Sequence, residues 1–346
     1  FPRVLAKDFF EAAPGGEFEF PPPKKMVKAG ERARVKIPSF DALVGNFPFI
    51  RQEKIEKAEP GYKEKLARVL YQSWGLEYHE LFPNVNKQGR GEPEVELALS
   101  GQADIYAYMF FHAAAHVKVG GRMGFITSNS WLDVAYGYEL QKFFLSKFKL
   151  VGIFESRCEP WFEQSAVNTV FTILERCDDE QQKKNNPVYF VKVKKPLAEL
   201  FPQDALIDVQ GRWNAIDRFV EKIEELGARG EVIGGAQFRR FGAIKSEYVK
   251  QPEITSYEDD DIRVRIITQG DLKKDVETAG QTVKWGQYLR GPDIYFEILE
   301  RCADKLVPLG KGKERIGKIE RGYTTGINKF FYLKSETVKR RCPIHS

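Results

Sequence analysis

The stretch from Phe40 to Glu53 constrains the fold more than any other. A short apolar strand candidate, Phe40 to Val44, runs into Asn46-Phe47-Pro48-Phe49 and then into a polar, helix-like segment. Asn and Pro are turn formers and end a strand. The four residues would then sit at the carboxyl end of a strand, which is where open α/β sheets place their ligands. An amide, a proline and an aromatic ring at such a place suit one task. The amide and a backbone carbonyl can accept protons from an exocyclic amino group, while the ring stacks on the base that carries it. Taken alone the same four residues make a plain turn, so the neighbouring segments decide.

Downstream, Gln52 to Leu81 mixes charge with apolar residues and Trp74, and reads as mostly helical. Asn84 to Glu94 is a polar, Gly-containing loop. Gly101 to Val119 is apolar all round in its interior, which predicts a buried helix. Asp104 lies in its first turn, and Gly120-Gly121 supplies a C-terminal stop. His112 and His116 share a face of that helix at metal-ligand spacing. No Glu lies between them and no third ligand is evident, so they read as core or rim histidines. Met123 to Thr127 is a strand, Ser128 to Leu132 turns off its end, and a helix follows from Gly137 to Lys147. Then come a strand, Leu150 to Phe154, a loop through Glu159-Pro160-Trp161-Phe162, and a strand, Thr169 to Leu174. The last two strands are joined without a helix, so the sheet is expected to hold one antiparallel strand.

At 346 residues the chain is long enough for about two domains. Hydrophobic residues at 42% exclude a disordered or fibrous chain. The net charge of +5 permits a nucleic-acid partner without requiring one. Cys158, Cys177, Cys302 and Cys342 form no Cys-x-x-Cys pair, so neither a zinc site nor a disulfide framework is indicated, and a reducing cytoplasm fits. The longest apolar run, Ile105 to Val117, is too short to span a bilayer, and no signal peptide is visible. The sequence opens on Phe1 in mid-pattern and reads as a piece whose upstream part is missing.

Asn-Phe-Pro-Phe resembles the Asn-Pro-Pro-Tyr/Phe motif of amino-group DNA methyltransferases. The longer string GNFPFIRQE resembles the form found in Type IIG restriction–modification enzymes. ADIY, KVGGRMGFITSNSWL, FKLVGIFES and FEQSAVNTVFTILER resemble, segment by segment, the second half of the gamma-class N6-adenine methyltransferase domain, over about residues 1 to 176. This order of segments is far more specific than any one motif. The resemblance implies a Rossmann-like α/β core, N-terminally incomplete, that uses S-adenosylmethionine to methylate adenine in double-stranded DNA. It implies catalytic roles for Asn46, Phe47, Pro48 and Phe49. Phe162 falls where the family has an aromatic residue on the flipped base, so Phe49 and Phe162 are expected to sandwich it. Asp8 and Phe9 match an Asp-Phe pair that holds the adenine of the cofactor; without context, Asp8 simply begins a loop. The Gly-rich cofactor loop does not occur before Asp8, and Phe47 departs from the family's proline. Proline there would fix φ, whereas Phe47 adds an N–H that must find a partner.

Glu11 to Pro38, rich in Gly, Pro and Lys, reads as a surface insertion. Asp178 to Asn186 is a charged, Asn-rich boundary. Pro187 to Lys194 alternates like a strand, Trp213 to Leu226 like an amphipathic helix, and Tyr257 to Asp261 is an acidic loop. Lys284 to Arg290 leads into a helix, Asp293 to Lys305. The close, IGKIERGYTTGINKFFYL, resembles the opening of the target-recognition domain of Type IIG methyltransferases. There Arg321, Thr324, Thr325, Asn328 and Lys329 offer phosphate or base contacts; without the resemblance this is equally a Gly-rich hairpin. The expected division is 1–177 for the C-terminal part of the catalytic domain, 178–284 for a connecting α+β segment, and 285–346 for the start of the recognition domain. A catalytically decayed DNA-specificity protein and methyltransferases acting on RNA or on protein glutamine are the alternatives.

Overall fold

A computed structural model describes residues 6–20, 33–86, 92–159, 161, 168–201, 207–235, 237–241, 246–250, 252–302 and 305–306. The strands are β1 Glu17–Phe20, β2 Ala33–Lys36, β3 Phe40–Asn46, β4 Asn84–Asn86, β5 Glu94–Glu96, β6 Val117–Ser128, β7 Phe148–Ser156 and β8 Thr169–Arg176. They continue with β9 Pro187–Val193, β10 Glu231–Gly234, β11 Gln237–Phe241, β12 Ser246–Lys250, β13 Glu253–Glu258 and β14 Ile262–Thr268. The helices are α1 Gln52–Ala58, α2 Tyr62–Trp74, α3 Ile105–Ala114, α4 Gly137–Lys147, α5 Glu180–Asn185, α6 Leu197–Leu200, α7 Val209–Ala228, α8 Gln269–Ala279, α9 Gly286–Arg290 and α10 Asp293–Arg301.

Eight strands form one mixed sheet in the order β10-β13-β14-β9-β7-β8-β6-β3. The fold is therefore the mixed α/β architecture expected. β3 and β6 are parallel, β7 and β9 are parallel, and β8 lies antiparallel between β6 and β7. That is the antiparallel strand the sequence order calls for. Residue 177 does not end the sheet. Asp179 caps α5 through the amides of Gln181 and Gln182, and the chain returns as β9 alongside β7. β14 and β13 then extend the sheet antiparallel.

Three local readings change. The buried helix stops at Ala114, and Val117 already begins β6. Gly120-Gly121 sits in that strand and not beyond a helix. The register there slips, pairing Phe40 with Val117 but Ala42 with Arg122. Gly120 has φ 81°, and a Cβ on Gly121 would come within 2.9 Å of the Phe40 carbonyl oxygen. Both glycines thus make the bulge possible. Within the stretch read as a loop, β4 pairs antiparallel with β5, and the acidic stretch 257–261 is largely strand end and tight turn between β13 and β14. The insertion also carries a hairpin, β1 with β2.

One face of the sheet is covered by α3, α4, α8 and α9 over an aromatic core that includes Phe110, Phe111, Phe125, Trp131, Phe143, Phe144, Trp285 and Tyr288, all buried. On the other face α7 packs Ile223 and Leu226 against Val191, Ile262 and Val264. β3 is the sheet's edge strand among the described residues, and Val44 on it is 80% exposed. No helix of the described residues is long and apolar enough to cross a membrane.

Candidate active site

β3 ends at Asn46, which is opposite Ile126 of β6 and is exposed. The next residue turns inward. Phe47 is buried, its ring stacked on Phe125 at 4.1 Å and edge-on to Phe110 at 5.3 Å. Its backbone N–H, the group a proline would lack, donates to the Ile126 carbonyl at 3.3 Å. The departure from proline is thereby accommodated. The ring fills the core, and the extra donor prolongs the β3–β6 ladder by one bond. Pro48 is exposed and Phe49 half-buried beyond this anchor.

A second anchor closes the loop. The Ile105 N–H donates to the Ile50 carbonyl at 3.2 Å, and the Gln52 N–H donates to Asp104 Oδ1 at 3.1 Å. Asp104 therefore caps the helix after the motif and not its own. Tyr136 donates to Asp104 Oδ2 at 3.4 Å, and the Tyr136 and Tyr106 hydroxyls are 2.6 Å apart. Burial raises the Asp104 pKa, while the Gln52 amide and Tyr136 hydroxyl pull the other way. The motif thus hangs between a ring pinned to β6 and a carboxylate pinned to α3. Asp104 was visible in the sequence only as a first-turn acid. Its bond to Gln52 spans 52 residues, and no local pattern announces it.

The other carboxyl ends of the parallel strands lie along the same edge. Asn129, just past β6, donates to Glu155 Oε1 at 2.8 Å. Arg290 of α9 donates to both Glu155 oxygens at 2.7–3.0 Å and also pairs with Asp133. This ties α9 to the ends of β6 and β7, a link that sequence reading missed.

The remaining candidates are placed elsewhere. Asp8 accepts from the Phe10 N–H at 3.1 Å and from the Tyr62 hydroxyl at 2.7 Å, with Lys65 at 3.7 Å. Phe9 packs on His112 and His116, ring centroids 4.8 and 6.0 Å away. These histidines stand at the C-terminal end of α3, whereas Asn46 and its loop stand at the N-terminal end. From Asp104 to His112 the helix rises about 12 Å. Asp8 and Phe9 thus pack toward the His112–His116 end of α3, while Ile50 and Gln52 are held at its Asp104 end. His112 and His116 are themselves buried, and His112 Nε2 lies 3.1 Å from the Phe9 carbonyl oxygen. Phe162, Arg321, Thr324, Thr325, Asn328 and Lys329 lie outside the described residues.

Residues 17–162 match the sequence profile of the Eco57I restriction-modification methylase family. Among solved structures, the type IIG restriction endonuclease BpuSI is similar, with 15% identity and a TM-score of 0.38, over 72% of this chain and 21% of that one. The type I restriction-modification methyltransferase subunit from Streptococcus thermophilus shows 11% identity and a TM-score of 0.36, over 77% and 40%. DrdV in its DNA complex shows 15% identity and a TM-score of 0.28, over 44% and 14%. The chain therefore spans well under half the length of each of these structures. The matched span, residues 17–162, holds Asn46-Phe47-Pro48-Phe49 and the Asp104 anchor.

Proposed function

We propose that the protein methylates DNA within a restriction–modification system, transferring the methyl group of S-adenosylmethionine to the N6 amino group of a flipped adenine. One observation carries the reading. The family motif ends a parallel strand with the Asn46 side chain exposed and the following peptide fixed at both ends. An adenine amino nitrogen is a poor nucleophile because its lone pair is delocalised into the ring. The Asn46 side-chain oxygen and the Phe47 carbonyl accept hydrogen bonds from its two N–H groups and favour a tetrahedral nitrogen, and the one proton that the methylated nitrogen sheds passes to solvent. Phe49 and Phe162 stack on the base; each contact is worth ~1–3 kcal/mol against the few kcal/mol that flipping costs. Anchoring of the loop at Phe47 and Gln52 limits its freedom and so holds the acceptors in place.

The cofactor supplies an electrophilic methyl group on a sulfonium. Asp8 and Phe9 are the residues that would hold its adenine. Each Asp8 oxygen accepts one side-chain or backbone hydrogen bond and keeps a further lone pair, which suits a second amino donor. Arg321, Thr324, Thr325, Asn328 and Lys329 are proposed contacts to the target sequence. In this reading 1–177 is the C-terminal part of the catalytic domain, 178–284 connects, and 285–346 begins the recognition domain. The test is labelled-methyl transfer offered to duplex DNA, RNA and protein side by side. Label in the adenine of DNA alone is expected. Label confined to RNA or to protein glutamine would replace this function with another.

A further inference from the structure

Four charged residues form a row across four neighbouring strands. The register pairs Glu155 of β7 with Lys192 of β9, Lys192 with Arg263 of β14, and Arg263 with Glu258 of β13. Together with Arg157, Lys194 and Arg290, three of them line an open cleft of about 270 Å³. Most of its charge is accounted for. Arg290 pairs with Glu155 and Asp133. Lys194 pairs with Glu258 at 3.0 Å, and Arg263 pairs with the other Glu258 oxygen. Arg263 also donates to the Gly291 carbonyl at 3.1 Å.

Two cations are left over. Among the described residues, neither Lys192 nor Arg157 has a carboxylate within 4.0 Å. Lys192 is half-buried, and it sits directly opposite another cation, Arg263. Like charges directly opposite on adjacent strands destabilise a sheet, and an unpaired half-buried ammonium adds a desolvation cost. Burial lowers the Lys192 pKa, Glu155 pulls it back up, and Arg263, Arg290 and Arg157 push it down again. A closed ladder of ion pairs would place an acid at one of these positions. Among the described residues the cleft thus carries a surplus of positive charge that an anion would offset.

The position says which anion. β3, β6, β7 and β9 run the same way, so Asn46 and the ends of β7 and β9 lie on one edge of the sheet. Arg157 is held there by its N–H on the Val193 carbonyl at 2.8 Å. Four strand spacings separate β3 from β9, about 19 Å at ~4.8 Å each. That is some five phosphate spacings along one strand of a duplex, at ~3.4 Å each. We propose that this cleft is a phosphodiester-binding site that takes one backbone phosphate of duplex DNA between Lys192 and Arg157, some five nucleotides along the strand from the base presented to Asn46. The assignment rests on the DNA reading above. Arg157 supplies a planar fork for the phosphate oxygens, and Lys192 supplies a point charge beneath them.

The experiment measures binding of a short fluorescein-labelled duplex by anisotropy across a salt series, for the protein and for its Lys192→Gln/Arg157→Gln variant. Thermal unfolding of both proteins is followed in parallel. The variant is expected to bind more weakly, with the slope of log K against log salt reduced by about 0.9, the loss of one phosphate contact. Its unfolding midpoint is expected to stay level or rise, because the Lys192–Arg263 opposition is gone. A variant that binds the duplex with an unchanged slope overturns the cleft site and leaves the DNA reading standing. A lowered midpoint with an unchanged slope also overturns it, and marks the row as structural. If the unaltered protein binds no duplex, the site and the DNA reading fall together.

Discussion

Phe47 is where residue-level reasoning gains most from the structure. From sequence it is a gap in a motif, a lost proline with an extra N–H to place. In the fold that N–H continues the ladder to Ile126 and the ring is part of the core. Part of this was legible. Read with period two, Leu43, Gly45 and Phe47 share the inward face of β3, and the run ends on its largest side chain. Its partner Phe125 lies 78 positions away in sequence and could not be named. Phe47→Ala is expected to lower stability by about 3–5 kcal/mol in denaturant unfolding. A loss under ~1 kcal/mol would mean that the ring does not hold the loop. Proline at this position would remove both the ring and the donor, so Phe47→Pro should act through stability before it acts through chemistry.

His112 gives a second residue-scale expectation. Burial, then the neighbouring His116, pulls its pKa from 6.5 down to about 4, against the carbonyl groups of Phe9 and Ala12. The folded protein therefore resists protonation at a pH where the unfolded chain accepts it. Stability is full above about 6.5 and is lost as pH falls toward 4. The loss is on the order of 3 kcal/mol at 1.36 kcal/mol per pKa unit. Urea midpoints measured across this window should drop for the protein and flatten for His112→Phe. An equally steep drop in the variant would assign the acid sensitivity to other groups.

At the scale of elements, periodicity located most strands and helices, because each buries one face. What it missed depends on distant partners. The glycine pair after α3 reads as a helix stop, yet its close approach to Phe40 makes it a bulge in β6. Gln269 opens α8 and is buried where β7 slips register. It accepts from the Leu150 N–H at 2.9 Å and donates to the Phe148 carbonyl at 2.7 Å. No local pattern distinguishes this glutamine from a surface one. Gln269→Leu leaves a backbone donor and acceptor buried without partners, and is expected to cost about 1–3 kcal/mol for each. The variant's denaturant midpoint measures this, and a midpoint equal to that of the parent would deny Gln269 its role as a bridge between α8 and β7.

Across the whole molecule, the α/β class and the antiparallel strand β8 followed from the order of segments up to residue 176. The reach of the sheet did not. Residues 178–186 look like a linker because they are charged and Asn-rich, but they form a capped helix that returns the chain to the sheet as β9. Trp285, just ahead of α9, is buried against Trp131 and Phe190. Strand order and such contacts are set by pairing between distant residues, which periodicity does not record. The proposed site was legible where it is one contiguous motif, Asn46 to Phe49. It was illegible where it depends on Asp104, Tyr136, Glu155 and Arg290, brought in from other elements.

The proposed function requires the exposed Asn46 amide oxygen to accept a hydrogen bond from the target amino group. Single-turnover methylation of duplex DNA by Asn46→Ala, with duplex binding measured on the same samples, tests it most directly. N6-methyladenine formation is expected to be lost while binding stays within a few fold. A variant that methylates adenine at the rate of the unaltered protein would contradict it.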